Sequence, residues 1–450
     1  ITDRVIYANF DAITNLNEIE ARKMAKLESY IESMQWVLDG MSKNKLWCKD
    51  LKWACARIIK KKFFDKALLD HLRELSAETR PLRWLNVKAY NDMMAGSKTG
   101  ILVKFDKEKS KSLRITRKRV VSFDKMSAYA GVLVSDDKYP IGNIQPVKFK
   151  FTKGFIHALR ELYDGGRWFK AVIISDHEIE CFSRFISRDD LEKHNYIYGI
   201  EYYDLLLISR DKNVGIQKFM EEIAGCKKRL YTSERTGYLD YMYRSKLHEL
   251  YVSKSHEPKG SIARFQKKTQ LSMINGKSIQ GRDFYKADSR EALFRFYRNP
   301  ENYLMPQHGM HTIAKIRFEL CSLIWALQSC QGTDPIAADT DGIKFIDSRP
   351  LGASYSHYTG FQAPPCISTL NNDITAQNER SGFPSDIGTW DFEYAADEFM
   401  QIGTKQYLYT RNGELVVKSS GIKKSDIDRA IDALHIDSNS DLFKYLEEHK

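Results

Sequence analysis

The stretch IAADTDGIKFI constrains the fold more than any other, because it sets Asp339 and Asp341 on either side of Thr340, between two short apolar runs. Ile343, Phe345 and Ile346, with Lys344 and Asp347 among them, carry the alternation of a hairpin strand, so the two aspartates lie near a turn and close in space. At roughly 4 Å in a half-buried setting their repulsion is on the order of 4 kcal/mol, and a divalent cation between them would relieve it. An EF-hand loop is excluded, since Ile343 and Lys344 stand where that loop needs a third oxygen ligand and its glycine. An Asp-x-Asp turn alone is commonplace. A second carboxylate on a similar strand gives this one weight: in VVSFDKMSAYAGVL, Asp124 closes the apolar run Val120, Val121, Phe123.

With 450 residues, 42% apolar and 12% aromatic, the chain can bury two or three cores. A formal charge of +11 points to a polyanionic partner. Cys48, Cys55, Cys181, Cys226, Cys321, Cys330 and Cys366 are scattered without C-x-x-C pairing, which argues for a reducing compartment and against a zinc cluster. No run of about 18 apolar residues and no signal-peptide layout is present, so a soluble, intracellular chain without membrane contact is expected. The sequence begins at Ile1 rather than Met, which leaves room for an upstream segment.

Along the chain, 15–75 is helical in pattern, with Met24, Leu27, Tyr30, Ile31, Met34 and Val37 at three- and four-residue spacing. Gly96 and Gly100 around Ser97 and Lys98 form a glycine turn without Walker spacing, and Lys104–Arg119 is a basic hairpin face. Short strands and one or two helices are expected over 142–209, and a helical, basic stretch over 211–278. Its last helix opens at Gly260 and Ser261, the latter an N-cap. In that helix Arg264 and Lys268, four apart, project from one face and would be relieved by an anion such as a nucleoside triphosphate. His308 and His311 are read as structural, HTIAKIRFELCSLIWALQSC as a core helix, 351–386 as loop-rich, and the remainder as alternating strands and two short helices.

In chain order these motifs resemble the family B DNA polymerases, most closely their protein-primed branch found in phages and linear plasmids. FDKMSAYAGVL resembles the first palm motif, D-x-x-S-x-Y; KKTQLSMINGK the fingers motif, K-x-x-x-N-S-x-Y-G; ADTDG the second palm motif; and TKQYLY the K-x-Y motif. The resemblance implies an α+β right-hand fold with an antiparallel-sheet palm, helical fingers, a small thumb and two insertions. It implies that Asp124 and Asp341 bind two Mg2+ ions, with Mn2+ able to substitute, and that Asp339 is a weaker or indirect member of the set. Tyr129 would act as the steric gate against a ribose 2′-hydroxyl, with Ser127 beside it. Arg264 and Lys268 would grip the incoming triphosphate, and Ser272 and Asn275 would face the nascent base pair. Lys405 and Tyr407 would steady the primer end, while Lys418, Gly421 and Lys423 would meet the duplex backbone.

The implied domains are an N-terminal helical region (1–75), palm (76–141), first insertion (142–210), fingers (211–280), second insertion (281–306), palm again (307–400) and thumb (401–450). The insertions fit the long separations of Asp124 from Lys268 and of Gly276 from Asp339. Partners would be primer-template DNA, deoxynucleoside triphosphates and a terminal protein, in the cytoplasm of a host cell. The pattern departs at Ser272, Met273 and Asn275 in the fingers motif, at Ala130 and Gly131 after the gate tyrosine, and at Ala337 and Gly342 around D-T-D. NFDAIT has Asp11 without the acidic partner of a D-x-E exonuclease motif, so no proofreading is expected of this chain. An RNA-templated palm polymerase fits the motif order less well, and a catalytically inactive, polymerase-derived nucleic-acid-binding protein would not need Asp124, Asp339, Asp341, Lys268 and Lys405 together.

Overall fold

The computed structural model describes residues 92, 102–104, 119–149, 154–179, 188–191, 195–210, 215–259, 261–279, 305–349, 363–396, 398–403, 406–411 and 413–419. The expected N-terminal helices, the Gly96 turn, most of the Lys104–Arg119 stretch, Lys405, Gly421, Lys423 and the C-terminal helices lie outside the described residues.

In chain order, β1 (Leu102–Lys104) and β2 (Arg119–Lys125) lead through a tight turn to α1 (Ala128–Val134). There follow β3 (Tyr139–Pro146), α2 (Gly154–Asp164), β4 (Phe169–Ser175), β5 (Arg188–Leu191), β6 (Asn195–Glu201), α3 (Tyr202–Arg210), α4 (Gly215–Glu222) and β7 (Lys227–Gly237). Two helices, α5 (Tyr241–His256) and α6 (Ile262–Ser278), precede α7 (Pro306–Ser329) and the hairpin β8 (Thr333–Asp339) and β9 (Gly342–Asp347). The described part closes with α8 (Pro365–Arg380), β10 (Trp390–Ala396), β11 (Glu398–Gly403), β12 (Gln406–Arg411) and β13 (Glu414–Ser419).

Three sheets result, ordered β1-β8-β9-β2-β10, β3-β7-β4-β6-β5 and β11-β12-β13, and every pairing among the described residues is antiparallel. In the first sheet the two-residue period divides β2 cleanly. Val121 and Phe123 join Ile343, Phe345 and Ala338 in a core under α7, whose Leu320, Leu323, Ile324 and Leu327 recur at helical spacing. Each of those side chains contributes about 1.5–3 kcal/mol by leaving water. Ser122 and Asp124 point to the other face. At one end of that face Val120 packs with Tyr394, Phe399 and Tyr409 beneath the small sheet, and at the other end the face is left to polar groups.

Two expectations are corrected. The stretch 211–278 is not helical throughout: Lys227–Gly237 is strand β7, held between β3 and β4, because cross-strand partners distant in sequence outweigh the local basic pattern. Nor is 351–386 loop-rich throughout, since α8 starts at Pro365 in the first helical position, where the fixed φ of proline suits a helix, and buries Ile367. Ser261 caps α6 as expected, accepting from the Arg264 N–H at 3.2 Å, and Asp240 caps α5 by accepting from Met242 and Tyr243. Among the described residues no helix is long and apolar enough to cross a membrane.

Candidate active site

Four acidic side chains converge on the polar face of the first sheet. Asp124 at the end of β2 stands opposite Gly342 on β9 and opposite Asp391 on β10, while Glu393 lies at an irregularity in the β2–β10 register and accepts from Ser122 Oγ at 2.9 Å. A Cβ on Gly342 would sit 3.4 Å from Asp124 Oδ1, so glycine there lets the hairpin come close to that carboxylate. In the β8–β9 turn the Asp341 N–H donates to the Asp339 carbonyl at 2.6 Å, Thr340 Oγ1 donates to Asp339 Oδ1 at 3.0 Å, and the Asp341 carbonyl accepts from the Lys125 N–H at 2.8 Å.

Electrostatics reflect that crowding. Burial, then the charges of Asp341 and Glu393, push the Asp124 carboxyl up to about 7 against the opposing pull of Lys268 and Lys344. Burial, then Asp341 and Asp339, push the Tyr129 hydroxyl up to about 12. Among the described residues the only non-glycine residues with positive φ are Ser127 (49°) and Thr340 (56°), each beside these aspartates. Backbone in that region costs on the order of 1 kcal/mol or more per residue and collects where side chains must be aimed.

Facing the carboxylates across a cleft of about 420 Å³ is a basic wall of Lys254, Lys259, Arg264 and Lys268 from α5, α6 and the turn between them. Lys254 Nζ donates to Ser127 Oγ at 2.8 Å and lies 4.3 Å from the centre of the Tyr251 ring. Burial, then Arg264 and Lys268, bring its ammonium down to about 8. Arg264 also donates through Nη1 to the carbonyls of Lys254, Ser255 and Glu257, which ties the C-terminal end of α5 to α6.

The structure thus gathers Asp124, Asp341, Ser127, Tyr129, Arg264, Lys268 and Ser272 around one cleft. Asp339 sits beside it in the turn. Tyr407 and Lys418, cross-strand partners on β12 and β13, stand next to the acidic face, with Lys344 Nζ 4.5 Å from the Tyr407 ring centre. Asn275 is not among the lining residues: it is buried, and its Oδ1 has no hydrogen-bond partner among the described residues. Residues the sequence did not single out are Lys254, Lys344, Asp391 and Glu393. All four reach the site through pairing or packing across the chain, and only the alternation of WDFEY offered a local signal.

Among the described residues no group of three or more histidine, cysteine or acidic side chains is gathered tightly enough to hold a metal ion by itself. The donor set nevertheless suits magnesium, which keeps several waters and is held by one or two carboxylates together with substrate phosphates. Asp124 and Asp341, each raising the cost of the other's charge, are such a pair.

No family model and no curated protein matches the sequence. Among solved structures the fold is similar to that of phi29 DNA polymerase complexed with primer-template DNA, with a TM-score of 0.50, 15% identity, and coverage of 87% of this chain and 64% of that one. Similar values hold for the same polymerase complexed with primer-template DNA and incoming nucleotide substrates (TM-score 0.50, 12% identity, 84% and 64% coverage) and with single-stranded DNA (TM-score 0.50, 13% identity, 84% and 64% coverage). The chain therefore spans 64% of the length of these neighbours and shares with them a mixed α/β fold built on antiparallel sheets.

Proposed function

We propose that this chain is a template-directed DNA polymerase of the protein-primed family B type, which joins a deoxynucleotide to a primer 3′-hydroxyl and, at initiation, to a hydroxyl of a terminal protein. The observation that carries the reading is the opposition of Asp124 and Asp341 to Lys254, Arg264 and Lys268 across one cleft. Its fold-level support is the likeness to a polymerase whose structures hold primer-template DNA and incoming nucleotides. On this reading the first sheet is the palm, α5 and α6 are the fingers, β11–β13 begin the thumb, and the second sheet belongs to an insertion.

The attacking hydroxyl displaces pyrophosphate from the α-phosphate in line. Lys254, Lys268 and the charge of Arg264 hold the β- and γ-phosphates and offset the negative charge that grows there, so the protein acts by positioning and electrostatics. Tyr129, which lines the cleft and whose hydroxyl feels the charges of Asp341 and Asp339, is the steric gate against a ribose 2′-hydroxyl. Divalent metal ions bound by Asp124 and Asp341, Mg2+ or Mn2+, would supply a lowered pKa for the attacking hydroxyl and neutralisation of the leaving group. Asp339 braces the turn that presents Asp341.

The test is extension of a labelled primer-template with deoxynucleotides and magnesium by wild type, Asp341→Ala and Asp339→Ala. Extension by wild type that disappears in Asp341→Ala is expected. Absence of extension by wild type that still binds DNA would overturn synthesis from a DNA primer, and nucleotide attachment to an added terminal protein would then be the remaining arm.

A further inference from the structure

Asp124 and Lys125 are neighbours on β2, so their side chains leave opposite faces of the sheet. Asp124 opens to the cleft. Lys125 runs into the layer beneath, where its side chain is 2% exposed, ion-pairs with Glu319 of α7, and lies 5.5 Å from the centre of the Trp390 ring. Its backbone N–H meanwhile holds the Asp341 carbonyl at 2.8 Å. Glu319 is itself fixed from a second side by Lys315, one turn away at 3.9 Å.

A lysine buried to 2% exposure against a carboxylate that is 23% exposed needs a reason. Desolvating the ammonium costs several kcal/mol, and a well-packed apolar side chain of the same volume is often as stable or more so. Trp390 lies against it, and the sheet face it leaves carries the apolar core that holds Phe123, Leu320 and Leu323, so an apolar side chain at 125 would be the ordinary solution. What the ion pair adds is direction. An ammonium held by one carboxylate fixes the height of β2 above α7 more sharply than an adaptable apolar contact does.

We propose that Lys125, held by Glu319, is a positioning residue that sets the spacing of Asp124 and Asp341. One residue controls both: its side chain anchors the strand that ends in Asp124, and its N–H anchors the turn that presents Asp341. The proposal rests on the polymerase reading above for its consequence in nucleotide transfer, but it is a statement about how two carboxylates are held for a divalent cation.

The test titrates Mn2+ into the full chain by electron paramagnetic resonance, alongside thermal melts and primer extension. Glu319→Gln and Lys125→Met should bind Mn2+ about tenfold or more weakly, the range seen when residues that orient metal ligands are removed. The double exchange Lys125→Met with Glu319→Leu should melt near wild type yet keep the weakened affinity, which a purely structural role would not predict. It also carries the test if either single variant fails to fold. Unchanged Mn2+ affinity in folded Glu319→Gln, or recovery of both melting point and affinity in the double exchange, would overturn the proposal. Wild type that extends primers while Mn2+ affinity is unmoved by these changes sinks only the positioning role; wild type that neither extends primers nor attaches a nucleotide to a terminal protein sinks the polymerase reading instead.

Discussion

The polar face of the first sheet and the junction of the second sheet with α7 hold similar numbers of charged groups and treat them in opposite ways. On the first, Asp124, Asp341, Glu393 and Asp391 face one cleft, and the principal cations stand across a gap or at its edge. At the second, the charges are matched within the fold. Arg317 donates twice to Asp204 at 3.0 and 2.9 Å, Trp168 Nε1 donates to Glu201 at 3.1 Å, and His311 lies 3.2 Å from Asp137 and 3.7 Å from Glu201. Asp124 is pushed up to about 7, whereas at Asp137 burial is outweighed by the hydrogen bond and charge of His311, which bring the carboxyl down to about 2; at Asp204 burial still raises the carboxyl against the pull of Arg317. Folding alone accounts for the second arrangement. The first is one that stability would not select, which makes it the place to look for chemistry.

The sharpest way to break the contrast is Asp341→Asn. It should reduce primer extension on the order of 10³-fold while raising the melting temperature by about a degree or two in chelator, because a charge that opposes Asp124 is gone. Loss of both activity and stability would mean that the acidic face is structural after all. The converse change is Arg317→Met. It leaves Asp204, 0% exposed, as an uncompensated buried charge and should cost about 3–5 kcal/mol in urea unfolding. Adding Asp204→Leu should restore at least half of that, and the folded fraction should still extend primers.

What was legible in the sequence follows the same division. Asp124 closes one apolar strand run and Asp341 opens another, and Arg264 and Lys268 lie four apart on one capped helix, so local period and spacing pointed to them, whereas Ser127 and Tyr129 were named only through the resemblance to the first palm motif. His308 and His311 were legible as structural for want of a ligand-like spacing, and both are buried, with His308 Nε2 3.0 Å from the Pro140 carbonyl. Strand β7 was not legible, because a basic run becomes a strand only when Tyr139 and Phe169, far away in sequence, bring partners to both its edges. Glu393 and Asp391 were hidden for a related reason: their alternation reads as a strand, but the register that turns them towards Asp124 is set by β2. Asn275 was named from the fingers motif, which does not say which neighbours cover it, and the fold buries it away from the cleft lining.

A smaller effect is expected at Lys254, which touches the site from α5. Lys254→Ala should raise the KM for the deoxynucleotide about tenfold, the loss of roughly one charge-assisted contact, with less change in kcat. Because burial and then the charges of Arg264 and Lys268 bring its ammonium down to about 8, wild-type affinity for the triphosphate should decline as pH rises through 8. That decline should be absent from Lys254→Ala. A profile unaltered by the substitution would place the titrating group elsewhere.

The two regions should also separate along the pH axis, and this is the finest test of the contrast. Burial works against the His311 cation, but hydrogen bonds to Asp137 and Glu201, with their charges, overcome it and raise the imidazole from 6.5 to about 9. The folded chain therefore holds that proton more tightly than the unfolded chain. The stability this contributes is complete below pH 6.5, falls across the interval up to 9, and is gone above it, a decline of roughly 1–3 kcal/mol. The Asp124 carboxyl, raised from 3.8 to about 7, has the same sign in a lower window: its contribution is complete below pH 3.8 and lost as pH rises through 7. Unfolding measured in chelator should then show His311→Gln flattening the slope between pH 6.5 and 9, and Asp341→Asn flattening part of the slope between 3.8 and 7, with neither variant altering the other's window. A single variant that flattened both would show the two regions to be electrostatically coupled through α7, which carries His311 at one end and Glu319, the partner of Lys125, two turns further along.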